Sequence, residues 1–327
     1  MHILITGAAG MIGRKLTARL VKDGSLNNQQ IDRLTLIDVV APEKPAGFAG
    51  QVTATVGDVS VPGAAPQAIA GRPDVIFHLA GVVSGEAETD LEKGYRVNLD
   101  GGRTLLDAVR LASGDYHPKF IFTSSIAVFG APFPDTIPDD FHLTPLTSYG
   151  AQKAMMELLL ADYSRRGFLD GVGIRLPTIV VRPGKPNKAA SGFFSGIIRE
   201  PLVGDEAILP VPDSVQHWHA SPRSAIGFLV HAAGLPRDEL GDRINLTMPG
   251  VCCTVGEQIE ALRRVAGDKI AARIRREPNE LVARIVAGWP RRFDPKRALA
   301  LGFTVEKTFD DIIRAHIEDE LGGKIVN

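Results

Sequence analysis

The sequence predicts an α/β protein in which a doubly wound parallel sheet is followed by a smaller C-terminal lobe. Three observations carry that expectation. Over roughly the first 180 of the 327 residues, apolar runs of strand length alternate with longer helical patterns, as βαβ units require. A glycine run, GAAGMIG at residues 7–13, stands directly between the first apolar run and the first helical pattern. After Arg182 the alternation stops, prolines crowd residues 183–222, and shorter elements follow.

Strands are expected at residues 2–6, 34–38, 52–56, 75–78, 120–123 and 172–174, each a short β-branched or aliphatic run bounded by turn residues. Between them, helices are expected at residues 11–22, along one long stretch near 88–112, and at 146–165. In the C-terminal part the helical patterns lie near residues 255–266, 279–286 and 309–320. The division that follows is residues 1–181 for the sheet domain, with a return to its core near 217–247, and residues 182–327 mainly for the second lobe. That lobe would sit over the carboxyl edge of the sheet, where ligands of open α/β folds bind.

The glycine run carries chemistry because of its place. Gly7 permits a tight turn, Gly10 lets backbone approach a pyrophosphate, Gly13 allows close helix packing, and Met11 opens the helix whose amino end would face the phosphates. The second strand ends in Asp38, a carboxylate suited to the ribose hydroxyl pair of NAD and repulsive to the extra phosphate of NADP. Arg14 and Lys15, just after the glycines, are the residues that could favour NADP instead. Further on, Tyr149 and Lys153 are four apart and share a helix face, so an ammonium can stabilise the phenolate and lower its pKa. A phenol so tuned serves as general base on an alcohol.

Composition narrows the partners. With 37 basic and 38 acidic residues there is no electrostatic footprint for nucleic acid or an anionic membrane surface. The chain enters a strand at its first residues, and no run approaches ~18 apolar residues, so a cytoplasmic protein is expected. Cys252 and Cys253 are adjacent, which makes a mutual disulfide strained. His217 and His219 could share a strand face, but no third ligand accompanies them and no metal is expected. Trp218 could wall a pocket or sit in a core.

In their order, GAAGMIG, SSIAVFG at 124–130 and YGAQK at 149–153 resemble the extended branch of the short-chain dehydrogenase/reductase superfamily, which holds NAD-dependent epimerases and dehydratases. The resemblance spans nearly the whole chain and extends to GDV at 57–59, HLAG at 78–81, VNLDGG from Val97, and FDPKRALALGF near the end. It implies a Rossmann core that binds NAD through Gly7, Gly10, Met11, Ile12, Gly13, Asp38, Asp58, Val59, Leu79, Ala80, Gly81, Asn98, Tyr149, Lys153, Pro177 and Thr178. It also implies catalysis by Ser125, Tyr149 and Lys153, with Ser125 orienting the reacting hydroxyl. Members that act on nucleotide-linked sugars usually carry an asparagine three residues after the arginine of the sixth strand and an RDxxH run. Here Arg175 is followed by Leu176, Pro177 and Thr178, and the second run reads Val215, Gln216, His217, Trp218, His219. Losing both diphosphate contacts points to a smaller substrate.

Residues 182–202 and HWHASPR at 217–223 resemble the corresponding runs of the D-erythronate dehydrogenase subgroup. That similarity implies oxidation of the 2-hydroxyl of a small sugar acid to a 2-oxo acid, with Tyr149 as base. Candidate substrate residues are Ser125, Tyr149, Arg182, Asn187, Ser191 and Arg223, with Lys185 and Lys188 as further cations. The alternatives are a nucleotide-sugar 4-epimerase of the same family and a non-catalytic NAD-sensing protein. Pairing of the two long helices, near 88–112 and 146–165, with their copies would make a homodimer.

Overall fold

The computed structural model describes residues 1–112, 114–184 and 191–326. In chain order the principal elements are β1 (His2–Thr6), α1 (Met11–Asp23), β2 (Arg33–Asp38), β3 (Gln51–Val56), β4 (Val75–His78), α2 (Gly101–Leu111), β5 (Lys119–Ser125), α3 (Ser148–Arg165), β6 (Asp170–Leu176) and β7 (Thr178–Ile179). They continue with α4 (Gly192–Val203), β8 (Ala207–Leu209), β9 (Gln216–Ala220), α5 (Pro222–Gly234), β10 (Asn245–Thr247), β11 (Val251–Thr254), α6 (Val255–Ala266), β12 (Ile274–Arg276), α7 (Glu280–Ala287) and α8 (Phe309–Leu321).

Seven strands form one sheet in the order β10-β6-β5-β4-β1-β2-β3, and every pairing in it is parallel. The order reverses between β1 and β4, which opens a crevice beyond their carboxyl ends at Thr6 and His78. Burial on both faces explains why the inner strands read as unbroken apolar runs, Ile3, Leu4 and Ile5 of β1 all being fully buried, whereas the edge strand β3 alternates and is largely exposed. All six expected sheet strands are present. The seventh, β10, is three residues long and too short to carry a period.

The stretch expected as one long helix is broken. Ser84–Thr89 and Leu91–Tyr95 are separate helical pieces, Arg96–Asp100 is a π-turn, and only then does α2 begin. The break is tied down by Asn98, whose side chain accepts from Val82 N at 2.8 Å and donates to Gln152 Oε1 at 2.8 Å. α3 starts at Ser148 because the Thr147 hydroxyl caps it, accepting from Gly150 N at 3.1 Å.

A second apolar cluster, distinct from that of the sheet, gathers Val180, Phe194, Ile197, Leu202, Ile259, Leu262 and Ile312 from α4, α6, α8 and their neighbours. Beside it, β7, β9 and β11 make a three-stranded sheet and β8 pairs with β12. Capping boxes at Thr254/Glu257 and Thr308/Asp311 open α6 and α8. Trp218 belongs to a third, small cluster, with its indole nitrogen donating to Met248 O at 3.1 Å. Among the described residues no helix is long and apolar enough to cross a membrane.

Candidate active site at the sheet's switch point

The turn after β1 is packed so closely against this chain's own backbone that glycine is required in it. Gly7 has φ +74°, and a Cβ there would lie 2.6 Å from Ala80 N at the end of β4. A Cβ on Gly13 would lie 2.2 Å from Gly7 O, so any side chain would force the helix off the turn. α1 begins at Met11 from Gly10 without a side-chain cap, leaving its first N–H groups for an anion. Asp38 stands beside the turn, its carboxylate accepting from Ala9 N at 2.9 Å and Val40 N at 3.2 Å. Asp58 accepts from Ser60 N at 2.9 Å, and Val59 is buried behind it. Lys15, read as a possible phosphate partner, is paired with Glu320 on α8, and Arg14 donates to Ala9 O. The turn, Asp38 and the Asp58 loop therefore fit a dinucleotide with a diol-bearing ribose.

Next to this turn is a cleft of about 350 Å³, lined by Ile12, Leu79, Gly81, Ser125, Tyr149, Lys153, Pro177 and Thr178 and also by Arg182, Ser191, His217, Trp289 and Pro290. Of the expected cofactor residues, Gly7, Gly10, Met11, Gly13, Asp38, Asp58, Val59, Ala80 and Asn98 are not among those lining the cleft; Ala80 abuts Gly7, Asn98 lies behind Val82, and Asp58 and Val59 line a separate hollow beside β3.

α3 sets Tyr149, Lys153 and Glu157 at successive turns. Lys153 is 4% exposed and donates to Thr123 O at 2.9 Å, with its nitrogen 4.8 Å over the Phe122 ring and 5.7 Å from the centre of the Tyr149 ring. Burial lowers its pKa to about 8, opposed by Glu157. Glu157 is fully buried and clamped by Arg175, with Nη2 to Oε2 at 2.7 Å. Ser124 also donates to Glu157, so its hydroxyl is committed there, whereas Ser125 faces the cleft and accepts from Ala127 N at 3.1 Å.

The phenol departs from the sequence expectation. Burial pushes the Tyr149 pKa up, and the groups pulling it down are Ser125, by hydrogen bonding, and Arg182, by its charge. Arg182, which lines the same cleft, adds its charge to the pull on the phenol, while the Lys153 ammonium donates to Thr123 O. Arg182 is itself held by Ser191, donating to its carbonyl at 3.1 Å and its hydroxyl at 2.7 Å. Burial and nearby Arg199 both disfavour its charge.

Arg223 does not join the site. It lies on α5, where its guanidinium donates to Asp319 at 2.6 Å and Glu318 at 2.9 Å of α8, a half-exposed pairing that joins the two parts of the molecule and spends the donors expected for a substrate. Asn187, Lys185 and Lys188 lie outside the described residues. His219 is fully buried and accepts from Gln258 at 2.9 Å, and among the described residues no group of three or more His, Cys, Asp or Glu side chains could hold a metal. Trp289 and Pro290 were not legible as cleft residues, since they are brought there by the turn after α7 and no motif marks them.

A family model described as the NAD dependent epimerase/dehydratase family matches residues 3–218. The chain is 49% identical to D-erythronate dehydrogenase of Cupriavidus necator, with 98% of each chain covered. It is 42% identical to D-erythronate dehydrogenase of Haemophilus influenzae, over 98% of this chain and 100% of the relative. Among solved structures, a protein from Agrobacterium tumefaciens described as a nucleoside-diphosphate-sugar epimerase superposes with a TM-score of 0.97 at 66% identity, covering 99% of this chain and 95% of that one.

Proposed function

The chain belongs to the NAD dependent epimerase/dehydratase family and is an NAD-dependent oxidoreductase, and from that premise we propose that it oxidises the 2-hydroxyl of a small sugar acid, D-erythronate foremost, to the 2-oxo acid. The observation that carries this reading is the convergence of Tyr149, Ser125 and Arg182 in one cleft. In a 2-hydroxy acid the carboxylate is bonded to the carbon that reacts, so its counter-cation must stand close to the proton-accepting base. Arg182 is near enough to the phenol to pull its pKa down. A neutral sugar would give that half-buried guanidinium no charged partner, only the Ser191 oxygens it already holds.

In the proposed reaction Arg182 and Ser191 hold the carboxylate, Ser125 orients the 2-hydroxyl, and Tyr149 takes its proton as the carbonyl forms. Bound NAD supplies the hydride acceptor for the C2 hydrogen. Lys153, whose ammonium donates to Thr123 O and lies 5.7 Å from the centre of the Tyr149 ring, would hold the ribose of bound NAD. NAD rather than NADP is favoured by Asp38 beside the glycine turn and by the pairing of Lys15 with Glu320. The exposed leucines of α2 and α3 support a homodimer, and the unpaired Cys252 and Cys253 suit a reducing cytoplasm.

The second reading, epimerisation of a nucleotide-linked sugar, is favoured by the description of the Agrobacterium tumefaciens structure. Against it, Val215 stands where the arginine of RDxxH would be, and Thr178 stands where the asparagine would be. One experiment separates the two: four- to six-carbon sugar acids are offered with NAD and with NADP while NADH absorbance is followed. Steady NADH formation with D-erythronate is expected. No NADH from any sugar acid, together with interconversion of UDP-sugars, would overturn the proposal.

A further inference from the structure

His217 is 2% exposed, stacked on Phe194 at 5.2 Å between ring centres, and hydrogen-bonded through both nitrogens. Nδ1 lies 3.0 Å from Pro290 O, and Nε2 lies 2.6 Å from Thr178 Oγ1. A carbonyl oxygen only accepts, so the ring's proton is on Nδ1. The ring is neutral: burial lowers its pKa to about 4, and the only hydrogen bond opposing this is that same carbonyl. Nε2 then carries a lone pair and can only accept, and the one donor facing it is the Thr178 hydroxyl. The hydrogen of Thr178 is therefore spent on His217, and its oxygen is left with lone pairs alone. Thr178 lines the cleft together with its partner His217 and with Trp289 and Pro290.

We propose that Thr178, polarised by His217 and Pro290, is a specificity residue that accepts a hydrogen bond from a substrate hydroxyl beyond the carbon being oxidised. The inference rests on the sugar-acid reading above and narrows it. The enzyme selects 2-hydroxy acids that carry a further hydroxyl at C3 or C4 and rejects those with an aliphatic tail, which would leave the oxygen buried and unpaired. It equally rejects acids with a carbonyl oxygen at that place, because two acceptors would face each other. An ordinary threonine could rotate its hydroxyl to suit either partner, and the imidazole removes that freedom.

The test compares kcat/KM for D-erythronate with that for 2-hydroxybutanoate of the same C2 configuration, which lacks both distal hydroxyls. In Thr178→Val the ratio between the two acids should collapse by about 10- to 100-fold, mainly through KM for D-erythronate, while Thr178→Ser keeps it. Equal losses on both acids, or a rise confined to the KM for NAD, would overturn the assignment. A readout independent of any substrate is the nitrogen-15 spectrum of the His217 ring, identified by its loss in His217→Phe. A neutral ring protonated on Nδ1 at pH 7 is expected, and an Nε2-protonated or cationic ring overturns the polarity given to Thr178. If the unaltered enzyme oxidises neither acid, the sugar-acid reading fails, while the ring spectrum still decides which way the Thr178 hydroxyl points.

Discussion

Tyr149 sits between opposing influences, with burial raising its pKa and Ser125 and Arg182 pulling it down. Removing its hydroxyl should abolish proton transfer and little else. In Tyr149→Phe, turnover is expected to fall by at least ~10² while NAD binding, followed by fluorescence quenching, stays within about twofold of the unaltered enzyme. Near-normal turnover would exclude the phenol as base. Arg182 has a different task. Its charge is disfavoured by burial and by Arg199, and a bound carboxylate would relieve both. Arg182→Gln should therefore raise KM for the sugar acid by about 10- to 100-fold and leave KM for NAD unchanged. A shift in the NAD constant instead would move Arg182 to the cofactor. Ser124 and Ser125 show how geometry separates neighbours that look alike, since one hydroxyl is committed to buried Glu157 and the other faces the cleft.

At the scale of elements, the strand-turn-helix unit from β1 to α1 leaves no room for a side chain at its glycines Gly7 and Gly13. A Cβ on Gly13 would lie 2.2 Å from Gly7 O and 2.7 Å from Ala8 Cα, both backbone atoms that cannot step aside. Gly13→Ala should lower Tm and weaken NAD binding at least ~10-fold, measured by titration on folded protein; undiminished binding would show that the turn does not hold the cofactor. This unit was legible in the sequence because glycine spacing, strand and helix coincide within about twenty residues. The α3 placement of Tyr149 and Lys153 was legible for a similar reason, four residues on one helix. What was not legible depends on contacts far apart in the chain. The π-turn at Arg96–Asp100 is set by Asn98 meeting Val82 and Gln152, and the displacement of Arg223 is set by Glu318 and Asp319. No local pattern encodes either.

For the whole molecule, several buried imidazoles tie stability to pH. His78 is lowered to about 3, and His217 and His316 to about 4, all by burial. The unfolded chain binds protons at these sites as pH drops through about 6.5 while the folded chain does not, so stability is lost as pH falls toward 4. Tm at pH 5 should be at least ~5 °C below that at pH 7. His316 has no partner for either ring nitrogen among the described residues, so His316→Leu should flatten this slope; an unchanged slope would remove it from the account. Assembly is the last property argued at this scale. Leu111 at the end of α2 is 70% exposed, Leu158 within α3 is 66% exposed, and Leu91 ahead of the π-turn is 57% exposed. Single exposed leucines are ordinary, but three on neighbouring helical segments offer apolar surface that a second copy can cover about a twofold axis. Sedimentation velocity should give a species of twice the chain mass, and Leu158→Asp should halve it without lowering the monomer's Tm, because in the isolated chain Leu158 already faces water. A monomer for the unaltered chain at micromolar concentration would mean that these leucines serve no self-association.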